Sequence, residues 1–311
     1  MAIASVAEEY VFDFSEETCI EAPWSAFPCR KCLPCLRARQ KAWVARLVEE
    51  LRNHDTNYFV TLTYSDEFVP VDENGEMSVS KSDVIKLNRD MRKRFQLGKL
   101  RNPAGDVILG SPEFLELPKD LKYQYYITSE YGPNATQRPH YHGVWYGLEV
   151  EQSLAEVLFR TLWPYGYVSV FPAKEGAAGY ISKYLVSDGV GKDTYHGEGT
   201  KPFSLMSKGL GKSYVERMGE WHRADPRRMF TQYHGSKGTM DRYLKHKIYD
   251  EETLSEYADQ CMKKHYQLQM RYYKLKITNP VAYNRLLAER AKYFADDKDS
   301  VEWSIKKKHK L

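Results

Sequence analysis

The sequence predicts an α+β fold: a central antiparallel sheet of about five strands flanked by helices, with helical additions at both ends. Three observations carry this reading. Short runs rich in β-branched and aromatic residues read as strands at 58–64, 122–129, 138–145 and 167–171. Segments with apolar residues at helical spacing lie between and around them. Gly132-Pro133-Asn134 breaks the chain between the second and third runs, which predicts an antiparallel hairpin there.

Residues 1–28 show no clear period. Cys29, Cys32 and Cys35 then run into a helix with Val44, Leu47, Val48 and Leu51 on one face and Arg37, Arg39, Lys41 and Arg46 mostly elsewhere. Asp72-Glu73-Asn74-Gly75 reads as a turn, and Ser82 as the cap of a basic helix over 83–95. Residues 98–120 read as a loop. Past the hairpin, 151–163 forms an amphipathic helix with Leu154, Val157, Leu158 and Leu162 inward. The strand at 167–171 and a helix over 174–186 follow. Residues 187–248 are Gly-rich and read as irregular. Helices at 250–275 and 280–297 close the chain, the second started by Asn279-Pro280, before a basic tail at Lys306–Lys310. The helices are expected on one side of a sheet core spanning roughly 57–190. The domain reading is 1–56 (Cys-rich segment and basic helix), 57–215 (the sheet domain) and 216–311 (a helical C-terminal region).

Composition narrows the class. No run of about 18 apolar residues and no secretory leader pattern is present, which argues against a membrane span or export. Lys+Arg at 46 against Asp+Glu at 42 gives +4, so net charge alone does not announce a nucleic-acid binder. The 24 tyrosines supply aromatic faces of the kind on which unpaired bases stack. Five cysteines, three of them clustered, do not form a secreted disulfide framework and suit a reducing cytoplasm.

The stretch Arg138-Pro139-His140-Tyr141-His142-Gly143 carries the chemistry. In an extended strand His140 and His142 share one face, and Tyr141 takes the other. Two imidazoles fixed on a rigid strand suit a metal ion, although such a pair also occurs as plain packing. Downstream, Tyr180 and Tyr184 lie one helical turn apart on one face, with Lys183 beside Tyr180. Packing against the sheet is the simple account of that pair. A phenol near pKa 10 becomes a usable nucleophile when a divalent cation polarises a phosphate and a lysine stabilises the developing charge.

These residues resemble the HUH endonucleases, named for two histidines flanking a hydrophobic residue. Phe59-Val60-Thr61-Leu62-Thr63-Tyr64 looks like the first motif, a structural and DNA-contacting strand that singles out Thr61 and Thr63. Arg138–Gly143 looks like the metal motif and Tyr180-Ile181-Ser182-Lys183-Tyr184 like the tyrosine motif. The paired tyrosines are similar to those of microvirus replication initiators, and Cys29/Cys32/Cys35 before a basic helix resembles the gokushovirus branch. The resemblance implies an HUH nuclease sheet of ferredoxin/RRM-like type. It also implies a phage-encoded enzyme of the host cytoplasm that initiates rolling-circle replication. There a tyrosine attacks single-stranded origin DNA, leaving a 5′-phosphotyrosyl link and a free 3′-OH, and the second tyrosine rejoins ends after one round. Mg²⁺ or Mn²⁺ is the implied cofactor, commonly with a third polar ligand. Glu130 is the candidate, because it ends the strand paired to His140; a solvated strand-end carboxylate is the alternative. Arg138, Arg89 and Lys212 are further candidate DNA contacts.

Cys29, Cys32 and Cys35 are close to zinc spacing, with Cys19 or His54 as a fourth ligand; structural zinc and plain thiols both fit. Gly209-Leu210-Gly211-Lys212-Ser213 is not a phosphate-binding loop, because the first glycine would fall at Met206 and no strong strand precedes it. With no ATPase domain in view, a host helicase and polymerase are expected partners. Two other readings remain: a plasmid initiator or transposase of the same superfamily, and a non-catalytic nucleic-acid binder. Origin sequence and oligomeric state are not legible.

Overall fold

The computed structural model describes residues 33–103, 112–132, 138–182, 200–233, 236–289 and 292. They fall into two compact units, one ending at Leu254 and one beginning at Ser255.

The first unit is built on a five-stranded sheet. Its strands are β1 (Asn57–Thr63), β4 (Gln124–Tyr131), β5 (Pro139–Tyr146), β6 (Val168–Pro172) and β7 (Ser204–Met206), in the order β6-β1-β5-β4-β7. Every pairing in it is antiparallel. A small hairpin, β2 (Lys99–Arg101) with β3 (Phe114–Glu116), interrupts the stretch expected as a loop.

Helices cover both faces, where one side was expected. The period of two explains why. Val60, Leu62, Tyr64, Ile127, Tyr141 and Trp145 point to one face, and meet α2 (Lys81–Leu97) and α3 (Gln152–Leu162) through Leu87, Met91, Leu158 and Phe159. Tyr126, Val144 and Tyr146 point to the other, and meet α1 (Leu33–Arg52) and α4 (Glu175–Ser182) through Leu47, Val48, Ala178 and Ile181. Both sets are apolar, so neither sheet face can be left in water. Gly143 permits this double burial: a β-carbon there would overlap the Trp145 ring and stand 2.9 Å from Ile127.

The cap of α2 is Ser80, not Ser82. The Ser80 hydroxyl accepts from the Asp83 amide, whereas Ser82 bonds only sideways to Ser80 Oγ. Residues 187–248, expected to be irregular, also need correction. The described part holds β7, α5 (Lys212–Arg223), the hairpin β8 (Phe230–Tyr233) with β9 (Ser236–Thr239), and α6 (Arg242–Ile248). Residue 215, the expected domain boundary, lies inside α5.

A buried polar joint fastens this extension to α1. Glu50 is fully buried, and its Oε2 accepts from the Gly211 amide at 2.7 Å and from Ser213 Oγ at 3.1 Å. An internal carboxylate thus holds the N-terminus of α5, which gives a physical reason why Gly209–Ser213 is no phosphate loop. Arg46, also buried, donates to the Leu210 carbonyl and to Asp241, with its guanidinium against Trp43 and Tyr243. Gly211, at φ +86°, leaves the space Arg46 occupies. Glu50→Ala is expected to lower the unfolding free energy by about 3 kcal/mol, because it strands a buried amide and hydroxyl. Glu216→Ala, which breaks an exposed pair with Lys212, should cost less than about 1 kcal/mol. Urea midpoints of the two variants make the comparison.

The second unit contains most of α7 (Glu251–Thr278), a 28-residue helix with no buried residue, and further helix over 280–289. No helix among the described residues is long and apolar enough to cross a membrane.

Candidate metal centre and tyrosine helix

The register of three strands builds the site. His140 pairs with Glu130 on one side and with Thr63 on the other; His142 pairs with Thr128 and Thr61. All six side chains therefore share the face toward α1 and α4. His140 Nε2 lies 3.3 Å from Glu130 Oε2, and His142 Nε2 lies 3.4 Å from the same oxygen. The three ligand atoms lie within 4.8 Å of one another, and this is the one such cluster among the described residues.

Both rings are held from behind. His140 Nδ1 lies 3.1 Å from the Arg138 carbonyl, an acceptor only, so that nitrogen carries the proton and Nε2 keeps its lone pair. His142 Nδ1 lies 3.0 Å from Thr61 Oγ1. Phe59, two residues before Thr61 on the same face, stacks on the His142 ring at 5.8 Å between centroids and 18° between planes. Burial disfavours a charge on His140, but the hydrogen bond and charge of Glu130 outweigh it and raise the pKa above the usual histidine value. A cation fits this donor set: two imidazole nitrogens aimed at one carboxylate oxygen, with hydrogen bonds fixing the rings.

Tyr141, on the opposite face, belongs to the core. Its hydroxyl accepts from the Ser80 amide at 2.7 Å and lies 3.1 Å from the Tyr64 hydroxyl, which in turn donates to Asp83. Burial, the main cause, pushes its pKa up to about 12. This ties the start of α2 to the middle of the ligand strand.

Helix α4 brings Tyr180 to the histidines. Ala178 and Ile181 are fully buried against α1 and the sheet, which turns half-buried Tyr180 toward β5 and β1. Its ring stands edge-on to His142 at 5.3 Å and 88°, and edge-on to Phe59 at 5.7 Å. Lys183 and Tyr184 lie outside the described residues, as do Cys19, Cys29 and Cys32. Cys35 is in the first turn of α1 and His54 is just beyond its last. At 1.5 Å per residue the helix separates them by roughly 26 Å, so the two cannot share an ion. His54 instead bonds Glu50.

The candidate DNA contacts have varied surroundings. Arg138 donates to the Tyr64 carbonyl and pairs with Asp66. Arg89 pairs with Asp90 and Lys212 with Glu216, all at the surface. Thr61, singled out by its motif, has a role the sequence did not signal: it supports His142. Its replacement by valine, similar in shape but without the hydroxyl, is expected to weaken Mn²⁺ affinity about 10- to 100-fold by calorimetry. Thr61→Ser should retain most of the binding.

Residues 57–189 match the family model of replication-associated protein ORF2. The core of the chain is ORF2-like. That segment starts with β1 and runs past α4, so it contains every element of the site. Replication-associated protein VP4 of Bdellovibrio phage phiMH2K is 28% identical over 237 residues, which is 70% of this chain and 66% of that protein. Replication-associated protein ORF2 of Spiroplasma virus 4 is 26% identical over 60% of this chain and 56% of its own length. Replication-associated protein ORF4 of Chlamydia phage 1 is 26% identical over 60% and 45% respectively. The chain thus spans about half to two thirds of the length of these relatives. The expectation of a microvirus-like replication protein holds. No solved structure is significantly similar to the chain.

Proposed function

We propose that this ORF2-like chain initiates rolling-circle replication of a small single-stranded DNA phage by nicking and rejoining origin DNA through a tyrosine. The observation that carries the reading is Tyr180 standing edge-on to His142, one ligand of the Glu130–His140–His142 cluster. A nucleophile and a cation site in contact, within a segment similar to phage replication-associated proteins, suit phosphoryl transfer better than passive DNA binding.

In this reading Glu130, His140 and His142 hold Mg²⁺ or Mn²⁺, which when bound neutralises phosphate charge and polarises the scissile bond. Arg138 and Thr61 keep both rings oriented. The Tyr180 oxygen attacks the phosphorus of a single-stranded phosphodiester. The P–O3′ bond breaks, the phenolic proton is lost, and the 3′ oxygen leaves as a hydroxyl after taking up a proton. The 5′ end stays on the tyrosine. Tyr184, one turn along by sequence, repeats the transfer on regenerated origin DNA, and the released 3′-OH joins the first phosphotyrosine to close a circle. Lys183 offsets charge on the phosphate oxygens. Strand separation falls to a host helicase and synthesis to a host polymerase.

The test is an origin-bearing single-stranded oligonucleotide with Mn²⁺. A covalent protein–DNA band on a denaturing gel is the expected result. A shift seen only under native conditions would return the chain to the class of non-catalytic binders.

A further inference from the structure

We propose that a cleft at the far end of β4 is a second single-strand subsite, holding one nucleotide of the DNA by its phosphate and its base. This rests on the DNA-nicking reading above but concerns grip on the strand rather than chemistry.

The cleft has a volume of about 430 Å³, within the range of small-ligand pockets, and lies between α2 and the end of β7. Its cations are Arg92 and Lys208. On the same helix as Arg92, Lys86 and Arg89 are both paired with Asp90. Arg92 has no carboxylate partner among the described residues and stands 5.8 Å and 5.7 Å from the ring centroids of Tyr123 and Tyr125. Lys208 likewise has none among them. Two uncompensated positive charges facing one cavity suit a phosphate.

The remaining walls suit a base. Tyr123 and Tyr125 are aromatic, and Met206 is a partly exposed apolar side chain beside them. Gln124 Oε1 is buried with no hydrogen-bond partner among the described residues, an acceptor that an exocyclic amine would satisfy. The frame is fixed: Tyr123 donates to the Asn88 carbonyl at 2.9 Å, and Ser207 Oγ accepts from the Tyr125 amide at 3.0 Å. Stacking faces, an unsatisfied acceptor and two cations without a carboxylate match a nucleotide unit of a single strand.

Gln124 and Glu130 are six residues apart on one strand, which puts the cleft about 20 Å from the ligand cluster. A strand cut at Tyr180 would then be gripped well away from the scissile phosphate. An oligonucleotide confined to the cut site would not reach the cleft; a longer one would.

Fluorescence anisotropy with short and long single-stranded oligonucleotides, without metal, tests this on the full chain. The double variant Arg92→Ala, Lys208→Ala should bind the long oligonucleotide about 10-fold more weakly. Its slope of log affinity against log salt should fall by about 1.4, or 0.7 for each of two lost phosphate contacts. Affinity for the short oligonucleotide and for Mn²⁺ should not change. Lys208→Glu alone, at an exposed position, should reproduce most of the loss and guards against an indirect effect at Arg92. Equal affinity and slope in wild type and both variants would overturn the subsite. Loss of long and short binding alike would also overturn it, since the effect would not be local. Failure of the wild type to bind Mn²⁺ or form a covalent adduct would instead sink the nicking reading and leave these binding data standing.

Discussion

Substituting phenylalanine at both Tyr180 and Tyr184 is expected to abolish covalent attachment to single-stranded origin DNA, by at least about 10⁴-fold, while the fold and reversible DNA binding persist. Removing a nucleophile costs catalysis on this scale when no neighbouring group can replace it. The substitution is clean at Tyr180. Its ring meets His142 and Phe59 through edge contacts at 5.3 and 5.7 Å, and phenylalanine retains that ring while losing only the oxygen. Peptide mass spectrometry of each single variant should map the adduct to the tyrosine left in place. A covalent band from the double variant would show that another group attacks, and the nucleophile assignment would fall.

The second large effect concerns the ligand cluster. His142→Ala and Glu130→Ala should each weaken Mn²⁺ binding by more than about 100-fold, since losing mere supporting groups around a metal already costs 10- to 100-fold. Nicking should fall with it, and excess Mn²⁺ should restore it in part. Glu130→Ala carries an independent signature. In metal-free protein His140 loses the carboxylate that raises its pKa and keeps the burial that lowers it, so its pKa should drop below the usual histidine value. Imidazole proton shifts followed against pH by NMR report that drop. Unchanged Mn²⁺ affinity in Glu130→Ala would remove the carboxylate from the site.

Much of this arrangement is legible in the sequence because it rests on short periods. Alternation along 138–145 separates the histidines from Tyr141, and four-residue spacing puts Tyr180 on a face of its helix. The hairpin break at Gly132 suggests Glu130 beside His140, and the register pairs them. Other parts are silent for physical reasons. β7 is three residues long and is a strand only because β4 offers it an unpaired edge. The second helical layer is hidden because a strand buried on both faces shows no alternation of polarity. The joint at Glu50 links residues 161 positions apart, and no local pattern announces such a partner. Thr61 reads as a strand residue of a DNA-contacting motif; only the β1–β5 register reveals that its hydroxyl meets a histidine.

The tie between Tyr141 and Ser80 bears on how this core tolerates change in chain length. One residue inserted inside β5 would exchange its two faces, sending the imidazoles into the layer of Trp145 and Tyr64 and turning Tyr141 toward the cation ligands. The anchor to Ser80 opposes that slip, because it would release the start of a whole helix along with the strand. Frame errors in this strand are therefore penalised twice, once in packing and once in chemistry. Length variation among relatives should avoid the interval from Pro139 to Tyr146.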